Sequence, residues 1–130
     1  MIRTFRDLEV WQRAMGLAKA AYALTGKLPQ HERYGLASQN QRAAVSVPAN
    51  IAEGQARDST REYLRFISIA IGSLAELSTL VELASGIHGA EVACGQYIEE
   101  QIEEVRLMLR GLQGSLKSKL TAPSSLLPAP

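Results

Sequence analysis

The chain has 130 residues, 46% of them hydrophobic and 21% charged, the balance of an ordinary soluble domain. Fourteen Lys and Arg stand against thirteen Asp and Glu, and the net charge of +1 excludes a polycation gripping nucleic acid or anionic lipid over its whole surface. The single cysteine, Cys94, excludes an internal disulfide framework and a cysteine-built zinc site.

The opening Met-Ile-Arg-Thr-Phe-Arg-Asp carries no apolar segment of a signal peptide, and the longest apolar run, Phe66 to Ala75, is about half a membrane span. A cytoplasmic protein with no membrane partner is expected. Leu8, Trp11, Met15, Ala18 and Tyr22 recur at helical spacing and predict a first helix buried along that stripe, closed by Leu28-Pro29. A second helix is expected from about Glu32 to Gly54. Its inner face is Leu36, Asn40, Ala43, Val47 and Ile51, and Gly54 is its C-terminal cap. Pro48 removes a backbone hydrogen bond inside that helix and predicts a kink.

Ser59 and Glu62 form the capping-box pair of a third helix reaching about Ser85-Gly86. In the fourth, Ile98, Ile102, Val105, Leu109, Leu112 and Leu116 keep the 3.5-residue rhythm of closely packed helices. Residues 121–130 carry three prolines and no periodicity, so a disordered C-terminal tail is expected after a domain at 1–120. No stretch alternates with the period of a strand. The expected fold is all-α, an antiparallel up-down-up-down four-helix bundle. Apolar positions of the third helix spread over roughly 240°, where one-sided packing needs little more than 100°. Another copy of the chain is the expected cover, with Tyr63, Phe66, Ile69 and Leu80 as interface candidates; the alternative is a protein-binding module that docks a different partner there.

Several chemistries find no residues. Di-metal bundles need Glu-x-x-His, but Leu28 and Ser85 stand three positions before His31 and His88, the only histidines. Both fall in predicted turns and read as solvated imidazoles. No Arg-x4-6-His motif, phosphate loop, nucleophile elbow or Cys-x-x-Cys is present. Cys94 reads as a small core hydrophobe. The expectation is no enzyme, no cofactor and no metal.

Two constellations remain. Gln39, Arg42, Ser46, Asn50 and Glu53 share a stripe of the second helix, and Glu76 is the natural partner for Arg42 if the second and third helices meet. That set predicts a buried structural polar network; the alternative is a ligand or partner site built on the same amides and carboxylates. Arg57, Arg61 and Arg65 form one basic row, and Arg106, Arg110 and Lys117 another; both are candidate phosphate contacts, with Asp58, Glu62 and Glu103 near enough to neutralise them. Glu99, Glu100, Glu103 and Glu104 read as the solvent side of the fourth helix.

Three segments carry a resemblance. Phe5-x-x-Leu8-x-Val10-Trp11-Gln12-x-Ala14, then Tyr34-Gly35-Leu36-x-x-Gln39-x-x-Arg42-Ala43-Ala44-x-Ser46-Val47-x-x-Asn50-Ile51-Ala52-Glu53-Gly54, then Ile69-Ala70-x-Gly72-Ser73-Leu74-x-Glu76-Leu77 resemble the 23S rRNA intervening-sequence proteins. The resemblance covers residues 5 to about 116. It implies an antiparallel four-helix bundle, a pentameric ring as in some relatives, and no enzymatic activity. The family is also similar to the accessory variability determinant of diversity-generating retroelements, a basic pentamer working with a reverse transcriptase and nucleic acid. The net charge of +1 departs from those basic relatives. The expected function is therefore a non-catalytic homo-oligomeric accessory or scaffold protein, with RNA or DNA as candidate ligand and a protein partner as the alternative.

Overall fold

Side chains build the entry into the first helix. In the computed structural model, which describes residues 1–89 and 95–121, Thr4 caps a 3-10 turn at Phe5–Asp7. Thr4 Oγ1 accepts from the Arg6 N–H at 3.1 Å, and the Asp7 carboxylate accepts from the N–H groups of Arg3 and Thr4 at 2.8 and 3.2 Å. Phe5 meets Trp11 edge to face, 5.1 Å between centroids, and Gln12 Nε2 donates to the Arg6 carbonyl at 2.9 Å. The opening motif is therefore a folded N-terminal latch.

Helix α1 spans Glu9–Thr25, α2 Leu36–Gln55, α3 Thr60–His88 and α4 Gly95–Thr121, and a second 3-10 turn at Gln30–Glu32 joins α1 to α2. Among the described residues there is no strand. Helices α1 and α3 each pack against α2 and α4, so neighbours in sequence are neighbours in space. Gly54 lies against Tyr63 and Phe66, Ser46 meets Ser73, and Glu32 meets His88, so α2 and α3 run in opposite directions. Gln41 Nε2 donates to Thr25 Oγ1 at 3.0 Å, and Val45 and Pro48 share a groove with Met15, Ala18 and Tyr22, which gives α1 and α2 the same relation.

The core is aliphatic, with Leu17, Leu24, Ile51, Ile67, Leu74, Leu77, Ile98 and Leu109 among its fully buried side chains. Helix α3 is long and apolar enough, by length and composition, to cross a membrane; here its inner residues pack into the bundle, and a central bundle helix passes the same test.

Several expectations change at the level of helix facing. In α1 the buried residues are Val10, Ala14, Leu17, Ala18, Ala21, Leu24 and Thr25, so Ala18 of the predicted stripe is buried as expected while the centre of the buried face lies about 100° around the helix from that stripe. Both stripes have helical spacing; small Ala14 and Ala21 let neighbouring helices approach, while Trp11 and Met15 lie half-covered and Tyr22 is half exposed. Gly54 is not the cap of α2, which ends one residue later, but a contact point. A Cβ there would stand 2.9 Å from both Phe66 Cβ and Tyr63 Cδ1. Pro48 is buried within α2.

Helix α3 covers most of its wide apolar arc within its own subunit. Of the interface candidates, Phe66, covered by Gly54 and the Arg57 and Arg65 side chains, and Leu80 are buried within the single chain; Tyr63 is half-buried and Ile69 is exposed. A helix with a neighbour on two sides buries a wider arc than one packed on a single side, which is why the arc overstated the uncovered surface. Cys94 and residues 122–130 lie outside the described residues, while Thr121 still belongs to α4.

Candidate functional site

The predicted polar network splits in two. Ser46 Oγ and Ser73 Oγ lie 2.7 Å apart across the α2–α3 contact, and Asn50 Nδ2 donates to the carbonyl and hydroxyl of Ser46 at 2.7 and 2.9 Å. That is a helix-to-helix polar link among partly buried groups. Arg42 and Glu76 are not a buried pair: both are exposed, no ion pair joins them, and with Gln39, Ala43 and Ser46 they line an open cleft of about 390 Å³. Gln39 and Glu53 are also exposed. The stripe straddles the helix boundary between core and solvent, so its short members turn inward and its long charged ones reach water. Asn40, fully buried, donates to the Leu36 carbonyl at 2.8 Å, while its Oδ1 has no partner among the described residues.

The second basic row reaches the end of the bundle that carries the first only at Lys117, since Arg106 and Arg110 line a cleft with Ile71, Leu74 and Ser78 partway along α3. Ser78 Oγ donates to the Glu99 carboxylate at 2.9 Å, and Arg13 forms an ion pair with Glu104. Helix α4 thus advances toward the end where α1 begins. The first turn of α3 and the last turns of α4 therefore share that end of the bundle. From residue 106 to 121, α4 carries Arg106, Arg110, Lys117 and Lys119 and no acidic residue. The N-terminal latch with Arg3 and Arg6 packs on α1 and α2.

Not every cation there is free to act. Arg65 Nε donates to Glu62 at 3.1 Å, and Arg106 grips Glu103 through two hydrogen bonds of 2.8 and 2.6 Å. That grip holds the Glu103 carboxyl below, and the Arg106 guanidinium above, their ordinary ranges. Arg110 Nη1 donates to Gln113 at 2.9 Å. The guanidinium carbons of Arg57 and Arg65 each lie 4.8 Å from the centre of the Phe66 ring. Among the described residues Arg57, Arg61 and Lys117 have no ion pair and are exposed. The acidic face of α4 is only partly a solvent face, since Glu99 and Glu104 tie α4 to α3 and α1.

At the opposite end, His88 is no solvated turn residue. Its Nε2 lies 2.7 Å from Glu32 Oε2, with only 11% and 17% of the two side chains exposed. Glu32 Oε1 accepts from the Leu36 N–H at 3.4 Å, so one carboxylate both caps α2 and holds the end of α3. The His88 hydrogen bond keeps the Glu32 carboxyl below the usual range. His31 joins them, its ring 5.8 Å from that of His88. Spacing within one helix could not show this group, because His88 stands 56 residues from Glu32; the opposed run of α2 and α3 could have.

Residues 6–111 match the family described as 23S rRNA-intervening sequence protein. The chain belongs to that family. The match spans α1, α2, α3 and most of α4, so it covers the polar link, Gly54 and the Glu32–His88 contact and stops short of Lys117. Membership in the 23S rRNA-intervening sequence protein family agrees with an accessory, non-catalytic role. No curated protein matches the chain.

Proposed function

We propose that this protein is a non-catalytic accessory or scaffold protein that assembles with copies of itself into a pentamer and contacts nucleic-acid phosphates through its basic end. The reading is supported by the opposed run of α3 and α4, which carries Lys117 toward the end of the bundle that holds Arg57 and Arg61, and by the exposure of these three cations, none of which has an ion pair among the described residues. Phosphate contacts call for exposed cations whose charge is not already satisfied. The family's tie to a ribosomal RNA intervening sequence favours RNA as the ligand.

Self-association rests on apolar surface left uncovered. Met15, Ala18, Lys19, Tyr22, Val45 and Pro48 line an apolar groove of about 400 Å³ between α1 and α2, and Ile69, Leu83 and Ile87 stay exposed on α3.

Titration of the protein into labelled structured RNA and duplex DNA at two salt concentrations tests the phosphate reading. Affinity should fall as salt rises, and Arg61→Glu with Lys117→Glu should flatten the salt slope by roughly two. Helicity should be unchanged. Binding that this double variant leaves intact overturns the assigned contacts. Light scattering tests assembly: a mass near the single-chain 14.1 kDa would overturn it and favour a different protein partner.

A further inference from the structure

We propose that His31, Glu32 and His88 form a binding site for a divalent transition-metal cation of the zinc class, stapling the α1–α2 connection to the C-terminal end of α3. One ligand atom from each of the three lies within 4.8 Å of the others. Two imidazole nitrogens and one carboxylate oxygen are the three-protein-ligand set of an open zinc site. Calcium and magnesium prefer all-oxygen sites, so the donor chemistry points to the later first-row metals.

The site is held in place before any cation arrives. Pro29 starts the 3-10 turn, and three successive hydrogen bonds fix the His31-Glu32 pair. The Glu32 N–H donates to the Pro29 carbonyl at 2.9 Å, Arg33 to Gln30 at 3.1 Å and Gly35 to Glu32 at 3.0 Å. Glu32 Oε1 is oriented by the Leu36 N–H, which leaves Oε2 facing His88. A ligating carboxylate steadied by an outer hydrogen bond is the usual support of a metal site. His88 is anchored in the last turn of α3, so two ligands sit on firm backbone.

Zinc bonds of about 2.0–2.1 Å place tetrahedral ligand atoms about 3.3 Å apart, so closure needs movement on the order of 1 Å. The exposed His31 has the rotameric freedom to supply it. A simple Glu32–His88 hydrogen bond accounts for two of the three groups and leaves the position of the His31 imidazole without a role. The exposure of His31 also leaves the fourth coordination position open to water.

The test is calorimetric titration of zinc sulfate into the chelator-treated, tag-free full chain, with thermal unfolding in parallel. One zinc per chain and a raised melting temperature are expected. His31→Ala is the deciding variant, because its side chain is exposed and outside the Glu32–His88 hydrogen bond. It should fold as the parent does yet lose at least about tenfold in zinc affinity. Glu32→Gln should lose as much. Parent-like zinc binding by His31→Ala overturns the site, and so does absence of zinc binding by the parent. Cys94→Ser should bind like the parent; loss of binding there overturns the three-ligand assignment.

Discussion

Ser46 and Ser73 meet hydroxyl to hydroxyl at 2.7 Å, and this contact, rather than an ion pair, is the polar fastening between α2 and α3. Asn50 completes it by donating to Ser46. Ser73→Ala should lower unfolding free energy by about 1 kcal/mol, the net worth of one such hydrogen bond. Arg42→Ala and Glu76→Ala, exposed on their cleft, should each stay within about 0.5 kcal/mol of the parent. Urea unfolding of the three variants measures the contrast. A loss of several kcal/mol at Arg42 would mean the pair is buried after all.

Gly54 is where α2 and α3 come closest. A methyl group there meets the Phe66 and Tyr63 side chains at 2.9 Å and the Tyr63 carbonyl at 3.3 Å, and backbone cannot swing aside. Gly54→Ala should therefore destabilise by about 1–3 kcal/mol despite its better helix propensity. Gly72→Ala on the exposed face of α3, where nothing lies within 4 Å, should stabilise by roughly 0.5–1 kcal/mol. Opposite signs in the same unfolding assay are the expected result.

The N-terminal latch should respond to acid in a defined direction. Hydrogen bonds from the backbone of Arg3 and Thr4 hold the Asp7 carboxyl below its ordinary range. A carboxyl with a depressed folded-state pKa contributes fully above the unfolded value, and that contribution is lost as pH falls through the folded one. The latch should thus stay closed through ordinary acidic buffers and open only below the usual aspartate range. Amide chemical shifts of Arg3 and Thr4 followed by NMR should report that step, and Asp7→Asn should abolish it.

Val45 is exposed on the rim of the α1–α2 groove. Val45→Glu places a charge there without touching the core, so the folded bundle should persist while any assembly through the groove dissociates. Light scattering should show a reduced mass at unchanged helicity. An unchanged oligomer would move the interface to Ile69, Leu83 and Ile87 on α3.

The repeat of apolar residues at +3 and +4 determined that this chain is helical and where its long helices lie, because amphipathic periodicity is a local property of the backbone. Ser59 announced the start of α3, and its hydroxyl does accept from the Glu62 N–H at 3.2 Å. What the sequence left open was rotation about each helix axis. Val10, Ala14 and Leu17 could face inward as readily as Trp11 and Met15, and packing against two neighbours chose the former. The same rotation sent Ser46 inward and Arg42 to water. Only the tertiary structure brought Lys117 to the end that carries Arg61, and His88 to Glu32, since those meetings depend on the opposed directions of helices far apart in the chain. Local periodicity specifies elements; long-range packing decides which side chains meet.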